Sequence, residues 1–282
     1  MTIDELRKKL DETSYVYDDN MLTVLYVALT LGRPLLIEGA AGVGKTEVAK
    51  VMAQALGRDL VRLQCYEGLD ESKALYEWNY QKQLLAIQVD QGREEKETLT
   101  RSLFSDEYLL ERPLLKSIRA ETPVVLLIDE IDKADLEFPN DLLWELDKME
   151  FYIPETKETI KAKQRPIVVI TSNAEKELPD AFLRRCVFHY IEFPDQAQME
   201  AILRVHFDNL EEKLIKQSLA AFYRLRELRG IEKKPSTSEL VDWIRALVAG
   251  DVDPKLIEDN MPFAGVLLKK DKDLQTLRKQ KR

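Results

Sequence analysis

The sequence contains few of the residues that form disulfides or bind metal ions, with two cysteines and two histidines among its 282 residues. Cys65 and Cys186 are far apart and form no CxxC pair, which is typical of proteins from a reducing compartment, and we expect inert packing for both. His189 and His206 have no nearby ligand set with the spacing of a metal site. The sequence therefore disfavours a metal enzyme and a serine–histidine–acid triad, and both histidines are expected to be buried or hydrogen-bonded.

Long apolar segments are also missing. The longest runs, such as Val124–Ile128, have the length of a strand and fall far below the roughly 20 residues that span a bilayer. The first residues, MTIDELRKKLDE, are charged where a signal peptide would be apolar, so we expect a cytoplasmic protein without a membrane span. With 42 Lys+Arg against 51 Asp+Glu and a net charge of −9, the chain lacks the overall basic character that sequence-independent nucleic-acid binding requires, with a local basic patch as the alternative.

Short apolar runs alternate with helical patterns over the first two thirds of the chain. Five runs predict buried strands, and four segments carry apolar residues at helical spacing. The strands are expected at Leu35–Ile37, Leu60–Cys65, Val124–Ile128, Ile167–Ile170 and Val187–Ile191, and the helices at Met21–Leu31, Glu47–Leu56, Leu109–Arg119 and Leu136–Met149. This alternation predicts a doubly wound α/β domain with a parallel five-stranded sheet.

Strand signals stop after Pro194, and the remainder is predicted to be helical. A capping box from Ser236 to Glu239 begins one of these helices. We therefore expect an α/β domain over residues 1–194, a helical domain over 195–268 and a basic tail over 269–282. Such a tail is most often a solvated end, and docking to a partner is the alternative.

A phosphate-binding motif follows the first predicted strand. The residues Gly39-Ala40-Ala41-Gly42-Val43-Gly44-Lys45-Thr46 match G-x-x-x-x-G-K-S/T between a strand and a helix. In such a motif the glycines let the backbone surround a phosphate, the lysine reaches the β- and γ-phosphates, and the threonine hydroxyl binds Mg²⁺. A glycine turn that matches by chance is the alternative, but the flanking strand and helix make it less favourable.

Two acidic residues end the third predicted strand. Asp129 and Glu130 follow Val124–Ile128 directly, at the carboxyl end of a buried strand where open α/β sheets bind ligands. Asp129 is expected to hold Mg²⁺ and Glu130 to act as the general base for an attacking water. A strand that simply ends in solvated acids is the alternative.

Further candidates follow the next strand. Asn173 ends the run Thr171-Ser172-Asn173, where it could orient the water or sense the γ-phosphate, although an ordinary turn residue would fit equally well. Arg184 and Arg185 precede the last strand, where an exposed arginine could reach a nucleotide on a neighbouring subunit. Two adjacent arginines are otherwise usual on a solvated surface.

The order of these motifs, GAAGVGKT, LLIDEID, TSN and LRR followed by a helical region, resembles the AAA+ ATPases. The segments RLQCYEGLDESKALYEWNYQKQLL and FPNDLLWELDKMEFYIPE resemble the MoxR family, and within it the members associated with carbon monoxide dehydrogenase maturation. The resemblance implies an AAA+ core with a helical lid that binds ATP and Mg²⁺.

The resemblance also implies roles for individual residues. Gly39 to Thr46 correspond to Walker A, Asp129 and Glu130 to Walker B, and Asn173 to sensor 1. Arg185 corresponds to an arginine finger acting in trans, with Arg184 beside it, and this implies a homo-oligomeric ring, usually a hexamer. Val16 and Tyr17 align with a segment that lines the adenine pocket.

Two elements of the family correspond to an insert at about residues 70–99 and a hairpin at about residues 151–160, and both face the pore of the ring. Tyr76, Trp78 and Tyr80 could accordingly face the pore or pack in the core. One departure is the missing sensor 2 arginine at the start of the helix that opens Pro235-Ser236-Thr237-Ser238, for which Lys233, Lys234 or Arg245 could substitute.

The expected function is that of an ATP-hydrolysing chaperone. By resemblance it remodels or matures a metalloenzyme together with a partner that carries a von Willebrand factor A-type domain. A nucleotide-gated binding switch with negligible turnover is the alternative that the missing sensor 2 arginine motivates. A GTPase is less favoured because the chain has no N-K-x-D motif.

Overall fold

The computed structural model describes residues 1–90 and 102–280 of the chain. These residues form two compact units. The first unit comprises Met1–Thr13, Asp18–Glu38 and Lys45–Tyr190, and the second comprises Ser14–Tyr17, Gly39–Gly44 and Ile191–Arg282. The domain limits expected from the sequence, 1–194, 195–268 and 269–282, stay predictions, and residues 91–99 of the expected insert lie outside the described part.

Five parallel strands form the central sheet, as predicted. Their bounds are Leu35–Gly39 (β1), Leu60–Gln64 (β2), Val125–Asp129 (β5), Ile167–Ser172 (β8) and Val187–Ile191 (β9). They lie in the order β2-β5-β8-β1-β9. The parallel registers of the inner strands pair Leu127 with Val169 and Leu36 with Ile170. Because parallel strands all end at the same edge, the residues that follow β5 and β8 meet there.

Burial differs between the middle and the edges of this sheet. Every residue of β5 is buried, as expected for a strand covered on both faces. In β2, by contrast, Val61 and Leu63 are buried while Leu60, Arg62 and Gln64 are exposed. In β9 only His189 is buried. The prediction that all five runs are buried on both faces is therefore wrong for β2 and for β9, because these strands lie at the two edges of the sheet.

Helices surround the sheet within the first unit. They are Ile3–Asp11 (α1), Asp19–Leu31 (α2), Lys45–Leu56 (α3), Glu71–Leu75 (α4), Tyr80–Asp90 (α5), Pro113–Arg119 (α6), Phe138–Asp141 (α7), Leu143–Lys148 (α8) and Asp180–Leu183 (α9), with a 3₁₀ turn at Ile131–Lys133. Helix α3 packs against β5 and β8, which brings its first residues to the carboxyl edge of the sheet.

One predicted helix is wrong in its first turn. Residues Leu109–Glu111 form a strand, β4, that pairs antiparallel with Tyr76–Trp78 (β3), and the helix starts only at Pro113. Proline fixes its own φ and lacks an amide hydrogen, so it suits the first position of a helix and disfavours a helical residue before it.

A second antiparallel pair lies between α8 and β8. Strands Glu150–Ile153 (β6) and Glu158–Lys161 (β7) pair from Glu150 with Lys161 to Ile153 with Glu158. They occupy the position of the hairpin that the resemblance implies at about residues 151–160. Phe151 and Ile153 are buried in the core, which ties this pair to the first unit.

The second unit is helical, as the sequence after Pro194 predicts. Its helices are Gln196–His206 (α10), Glu212–Glu227 (α11), Thr237–Ala249 (α12), Ile257–Asn260 (α13), Ala264–Leu267 (α14) and Asp271–Gln280 (α15), with a 3₁₀ turn at Pro254–Leu256. The predicted capping box is present, since the Ser236 amide donates to Glu239 Oε2 at 2.8 Å. Phe222 and Trp243 are fully buried in the core that these helices share. Among the described residues, none of the helices is long and apolar enough to cross a membrane.

Candidate nucleotide-binding site

The loop from Gly39 to Gly44 adopts backbone angles that favour glycine at three positions. Gly39, Gly42 and Gly44 have φ values of 157°, 77° and 93°. At Gly39 a Cβ atom would lie 2.5 Å from the carbonyl oxygen of Ile191, and at Gly42 it would lie 2.3 Å from Ser236 Cβ. At Gly44 a Cβ atom would meet no described atom within 4 Å. Gly39 and Gly42 therefore permit close packing within the second unit, whereas Gly44 provides only the positive φ that the turn requires.

Lys45 and Thr46 begin α3 directly after this loop. The Lys45 side chain is buried, with 6% of its surface exposed, and its Nζ donates to Asn173 Oδ1 at 2.7 Å. Burial lowers the pKa of Lys45, while the nearby carboxylates of Asp132, Glu130 and Asp129 act in the opposite direction. The site thus holds a desolvated cation that is stabilised by acidic neighbours.

Asp129 is as enclosed as Asp132 of the same cluster, with 2% of its surface exposed. Its Oδ1 accepts from Thr171 Oγ1 at 2.7 Å and from Thr46 Oγ1 at 3.0 Å. Its Oδ2 accepts from Arg62 Nε at 3.0 Å. A buried carboxylate is costly unless it is paired and hydrogen-bonded, and here both oxygens have partners.

Glu130 has an unusual backbone conformation. Its φ of 56° and ψ of 54° lie in the left-handed region, which costs a residue with a Cβ atom about 1–2 kcal/mol. The Glu130 amide donates to Thr171 Oγ1 at 2.8 Å, and this bond holds the strained residue at the end of β5. The two side-chain oxygens accept from Gln64 Nε2 at 3.1 Å and Asn173 Nδ2 at 3.3 Å.

Asn173 joins the basic and acidic parts of the cluster. Its side-chain oxygen accepts from Lys45 and its side-chain nitrogen donates to Glu130, so one amide contacts both. Its backbone amide donates to both carboxylate oxygens of Asp132, each at 3.2 Å. The side chain of Asn173 is therefore fixed between Lys45 and Glu130.

The donor set fits a magnesium ion. Mg²⁺ prefers oxygen ligands and is usually held by one or two protein side chains together with phosphate oxygens and water. The Thr46 hydroxyl and an Asp129 carboxylate oxygen lie 3.0 Å apart, which is a distance that two ligands of one ion can have. Among the described residues, there is no cluster of three or more His, Cys, Asp and Glu side chains that could hold a metal alone.

Three residues of this cluster, Arg62, Gln64 and Asp132, were not among the candidates from the sequence. The structural role of Thr171 was not predicted either. Gln64 pairs in register with Asp129, so β2 places it beside the acidic end of β5. The available signal is the pair of polar residues at i and i+2 near the end of a strand, since these share one face of a sheet. For Thr171 the strand pattern indicates only a strand end and gives no sign of its bonds to Asp129 and Glu130.

The two candidate finger residues differ in their contacts. Arg185 Nε donates to Asp147 Oδ2 at 2.6 Å, and its NH1 donates to the carbonyl of Ala181 at 2.8 Å. Arg184 is exposed and forms no ion pair with any residue in the described part of the chain. Within one chain, Arg185 is therefore the more constrained of the two arginines.

The remaining candidates lie in the second unit. Val16 and Tyr17 are half-buried and belong to the same compact unit as the loop Gly39–Gly44. Of the possible sensor 2 substitutes, Lys233 Nζ lies 3.9 Å from Glu239 Oε1 and Arg245 NH1 lies 3.2 Å from Asp242 Oδ1. Lys234 is exposed. Ser236 is the residue at the start of α12 that lies against Gly42.

The aromatic residues of the expected insert divide between core and surface. Trp78 is buried in the core of the first unit and Tyr76 packs against that core. Tyr80, by contrast, is 65% exposed. Trp78 and Tyr76 therefore pack in the core, and of these three residues only Tyr80 exposes its ring to solvent.

Among the described residues, the side chains of the cysteines and histidines donate no hydrogen bond to the cluster, although the Cys65 backbone amide donates to the Asp129 carbonyl oxygen at 2.9 Å. Burial is the main cause that raises the pKa of Cys65 and of Cys186, each to about 12, so both thiols stay protonated at neutral pH. His189 is buried, and burial lowers its pKa. His206 is exposed at the end of α10, so of the two expected roles, buried or hydrogen-bonded, burial does not apply to it.

A cavity of about 490 Å³ lies at the opposite edge of the sheet from the acidic cluster. It is lined by residues that precede β1 and β8, among them Arg33 and Arg165. Arg165 donates to the carbonyl oxygens of Gly32, Leu146 and Asp147, at 2.9, 2.9 and 3.1 Å. Arg165 therefore connects its own segment to the backbone at Gly32 and at the end of α8.

A parallel sheet, a glycine loop between β1 and α3, and a buried aspartate at the end of β5 together define a P-loop nucleotide-binding protein. Residues 34–186 match the AAA domain family, dynein-related subfamily. Because the match covers more than half of the chain, this chain belongs to that family. It is thus an AAA+ protein, a class of P-loop ATPases whose members commonly assemble into rings.

The close approach at Gly42 leads to a testable prediction. We expect Gly42→Ala to destabilise the protein by more than the about 1–2 kcal/mol that a left-handed alanine costs, because its Cβ atom would also overlap Ser236. Thermal unfolding followed by circular dichroism measures this loss.

Gly57→Ala is the matched control, since Gly57 has a φ of 61° and no described atom lies within 4 Å of the position that a methyl group would take there. Its loss of stability should equal only the cost of placing an alanine at a positive φ. Equal destabilisation by the two variants would contradict the importance of the Gly42–Ser236 approach.

Proposed function

We propose that this chain hydrolyses ATP in the presence of Mg²⁺. The observation that carries the proposal is the chain of hydrogen bonds from Lys45 through Asn173 to Glu130, beside the buried Asp129. These contacts hold a cation, an amide and two acids at the carboxyl edge of one sheet. The arrangement has the parts that phosphoryl transfer to water requires.

In this proposal each residue has a distinct role. The amides of Gly39 to Thr46, including those of Ala40, Ala41 and Val43, surround the β-phosphate, and Lys45 reaches the β- and γ-phosphates. Thr46 and Asp129 would hold the magnesium ion. When bound, that ion neutralises charge on the phosphate oxygens.

Glu130 would accept a proton from the attacking water, and Asn173 would orient that water or contact the γ-phosphate. The hydrogen bonds of Glu130 to Gln64 and Asn173 orient its carboxylate, and each oxygen can still accept a further hydrogen bond from the attacking water. The γ-phosphate of a bound nucleotide would also attract Lys45 and Asn173.

We further propose that the chain assembles into a ring, usually a hexamer in related proteins, in which an arginine reaches the nucleotide of the neighbouring subunit. Arg185 is the first candidate by resemblance, and Arg184 is the more exposed of the two. An arginine that arrives only on assembly would stabilise charge on the transferred phosphoryl group. Val16 and Tyr17 would line the adenine pocket.

The cellular role that we propose is that of a MoxR-type chaperone acting in the cytoplasm. It would remodel or mature a metalloenzyme client together with a von Willebrand factor A-domain partner. The support is the resemblance of the segments after β2 and after β5 to that family. In the ring, the insert and the β6–β7 pair would face the pore.

A second candidate function is a nucleotide-gated binding switch with negligible turnover. The observation that favours it is the absence of an arginine at the start of α12, where Ser236 lies against Gly42 instead. Without a cation at this position, the bound nucleotide would change the affinity of the chain for a partner but undergo little hydrolysis.

The variant Glu130→Gln separates hydrolysis from switching. We expect it to retain ATP binding and to lose about 10²–10⁴-fold in turnover, because the amide cannot accept the proton from water. Steady-state phosphate release and equilibrium binding of ATP measure the two properties.

Glu137→Gln is a suitable control, because Glu137 is exposed and precedes α7 outside the cluster. It should hydrolyse ATP as the unchanged protein does. If Glu130→Gln supports client maturation fully while turnover of the unchanged protein is negligible, the switch is the better description.

Assembly is tested by the dependence of turnover on protein concentration. Turnover per subunit should rise as the ring forms, and Arg184→Ala or Arg185→Ala should remove this rise while leaving ATP binding in place. Phosphate release over a dilution series, with sedimentation velocity at the same concentrations, makes the measurement. A flat profile across the range in which subunits associate would argue against an arginine acting in trans.

A further inference from the structure

Arg62 is the cationic partner of the buried Asp129. It lies on the edge strand β2, two residues before Gln64, which pairs in register with Asp129. Its Nε donates to Asp129 Oδ2 at 3.0 Å, and its NH2 contacts the same oxygen and also Gln64 Oε1. The guanidinium group therefore occupies Oδ2 of the carboxylate that we propose as a magnesium ligand.

The two partners differ in exposure. The Asp129 side chain is 2% exposed, whereas that of Arg62 is 53% exposed. Asp129 is thus fixed in the core at the end of β5, while the arginine reaches it from the solvent side. A long, half-exposed side chain on an edge strand can leave the carboxylate without disturbing the core, but the aspartate cannot move to follow it.

Both oxygens of the Asp129 carboxylate already accept hydrogen bonds. Oδ1 accepts from Thr171 and Thr46, and Oδ2 accepts from Arg62. A magnesium ion, or a water molecule that it carries, therefore has to replace one of these donors. Of the three, Thr171 is fully buried and also accepts from the Glu130 amide, so it is held from both directions.

Charge favours the replacement of the arginine. A buried carboxylate without a counter-charge is strongly unfavourable, so a cation beside Asp129 stabilises the protein before nucleotide arrives. Once a divalent cation lies on the same carboxylate, the guanidinium becomes a like-charged neighbour of that ion and their interaction is repulsive.

We propose that Arg62 is a resident counter-charge for Asp129 that magnesium displaces when the nucleotide binds. Arg62 is a positioning residue, because it acts on the metal through Asp129. It neutralises the carboxylate in the metal-free state, and it thereby weakens the thermodynamic coupling between magnesium and nucleotide. This proposal rests on the proposed nucleotide site, but it does not depend on hydrolysis.

The test measures that coupling directly. The dissociation constant of the slowly hydrolysed analogue ATPγS is determined by calorimetry in EDTA and again in saturating Mg²⁺, and the ratio of the two values is the coupling factor. For Arg62→Gln this ratio should be about tenfold larger than for the unchanged protein, which corresponds to about 1.4 kcal/mol. The increase arises because the unpaired Asp129 repels phosphate in EDTA and is free to assist the metal in Mg²⁺.

Arg62→Lys provides the conservative variant and keeps the test decisive if Arg62→Gln does not fold. A lysine retains the charge but makes a single point contact rather than a fork, so its ratio should lie between those of the other two proteins. Arg112→Gln is the matched control, since it removes a 44% exposed arginine from its ion pair with Glu77 elsewhere in the first unit. Its ratio should equal that of the unchanged protein.

The outcomes separate the role of Arg62 from the nucleotide site itself. A ratio for Arg62→Gln that is unchanged within twofold, or smaller, would overturn the role of Arg62 while leaving the nucleotide site in place. If the unchanged protein does not bind ATPγS in either buffer, the proposed function itself fails. A merely structural arginine would lower thermal stability without changing the coupling ratio.

Discussion

The rest of the site depends on one buried carboxylate at the end of β5. Asp129 lies in the core yet carries a charge, so the surrounding residues have to supply donors for both of its oxygens. Thr46, Thr171 and Arg62 do so from α3, β8 and β2, three different elements that meet at one edge of the sheet. This requirement explains why polar residues follow otherwise apolar strands, and why the strained Glu130 is tied to Thr171.

Much of the fold could be predicted from the sequence because it rests on local patterns. β-branched runs predict the five parallel strands, and the loss of these runs after Pro194 predicts the helical region. The errors in the predicted fold have physical reasons. The exposed face of β2 follows from its position at the sheet edge, which depends on strand order rather than on the strand's own residues. The strand Leu109–Glu111 depends on pairing with Tyr76–Trp78, about thirty residues earlier in the sequence, and local periodicity carries no information about that pairing.

The residues of the candidate site likewise include some that local sequence patterns predict and some that they do not. Lys45, Thr46, Asp129, Glu130 and Asn173 could be selected because each follows a strand or begins a helix within a known type of motif, and the structure places Lys45, Glu130 and Asn173 in contact. Arg62 and Gln64 could not, because their roles arise from the register of β2 against β5. The functions of Arg184 and Arg185 depend on a second subunit, so a single chain shows only which of them is already engaged.

The central claim is that the Lys45–Asp129 cluster binds a magnesium nucleotide, and equilibrium binding tests it most directly. Calorimetric titration of ATP with Mg²⁺ should show saturable binding to the unchanged protein and a loss of at least about tenfold in affinity for Lys45→Ala, since a buried charge-assisted contact to phosphate is worth about 1.5–3 kcal/mol. Lys50→Ala, which removes an exposed lysine on the same helix, should bind as the unchanged protein does. Absence of ATP binding to the unchanged protein, or equal affinity of Lys45→Ala, would contradict the account.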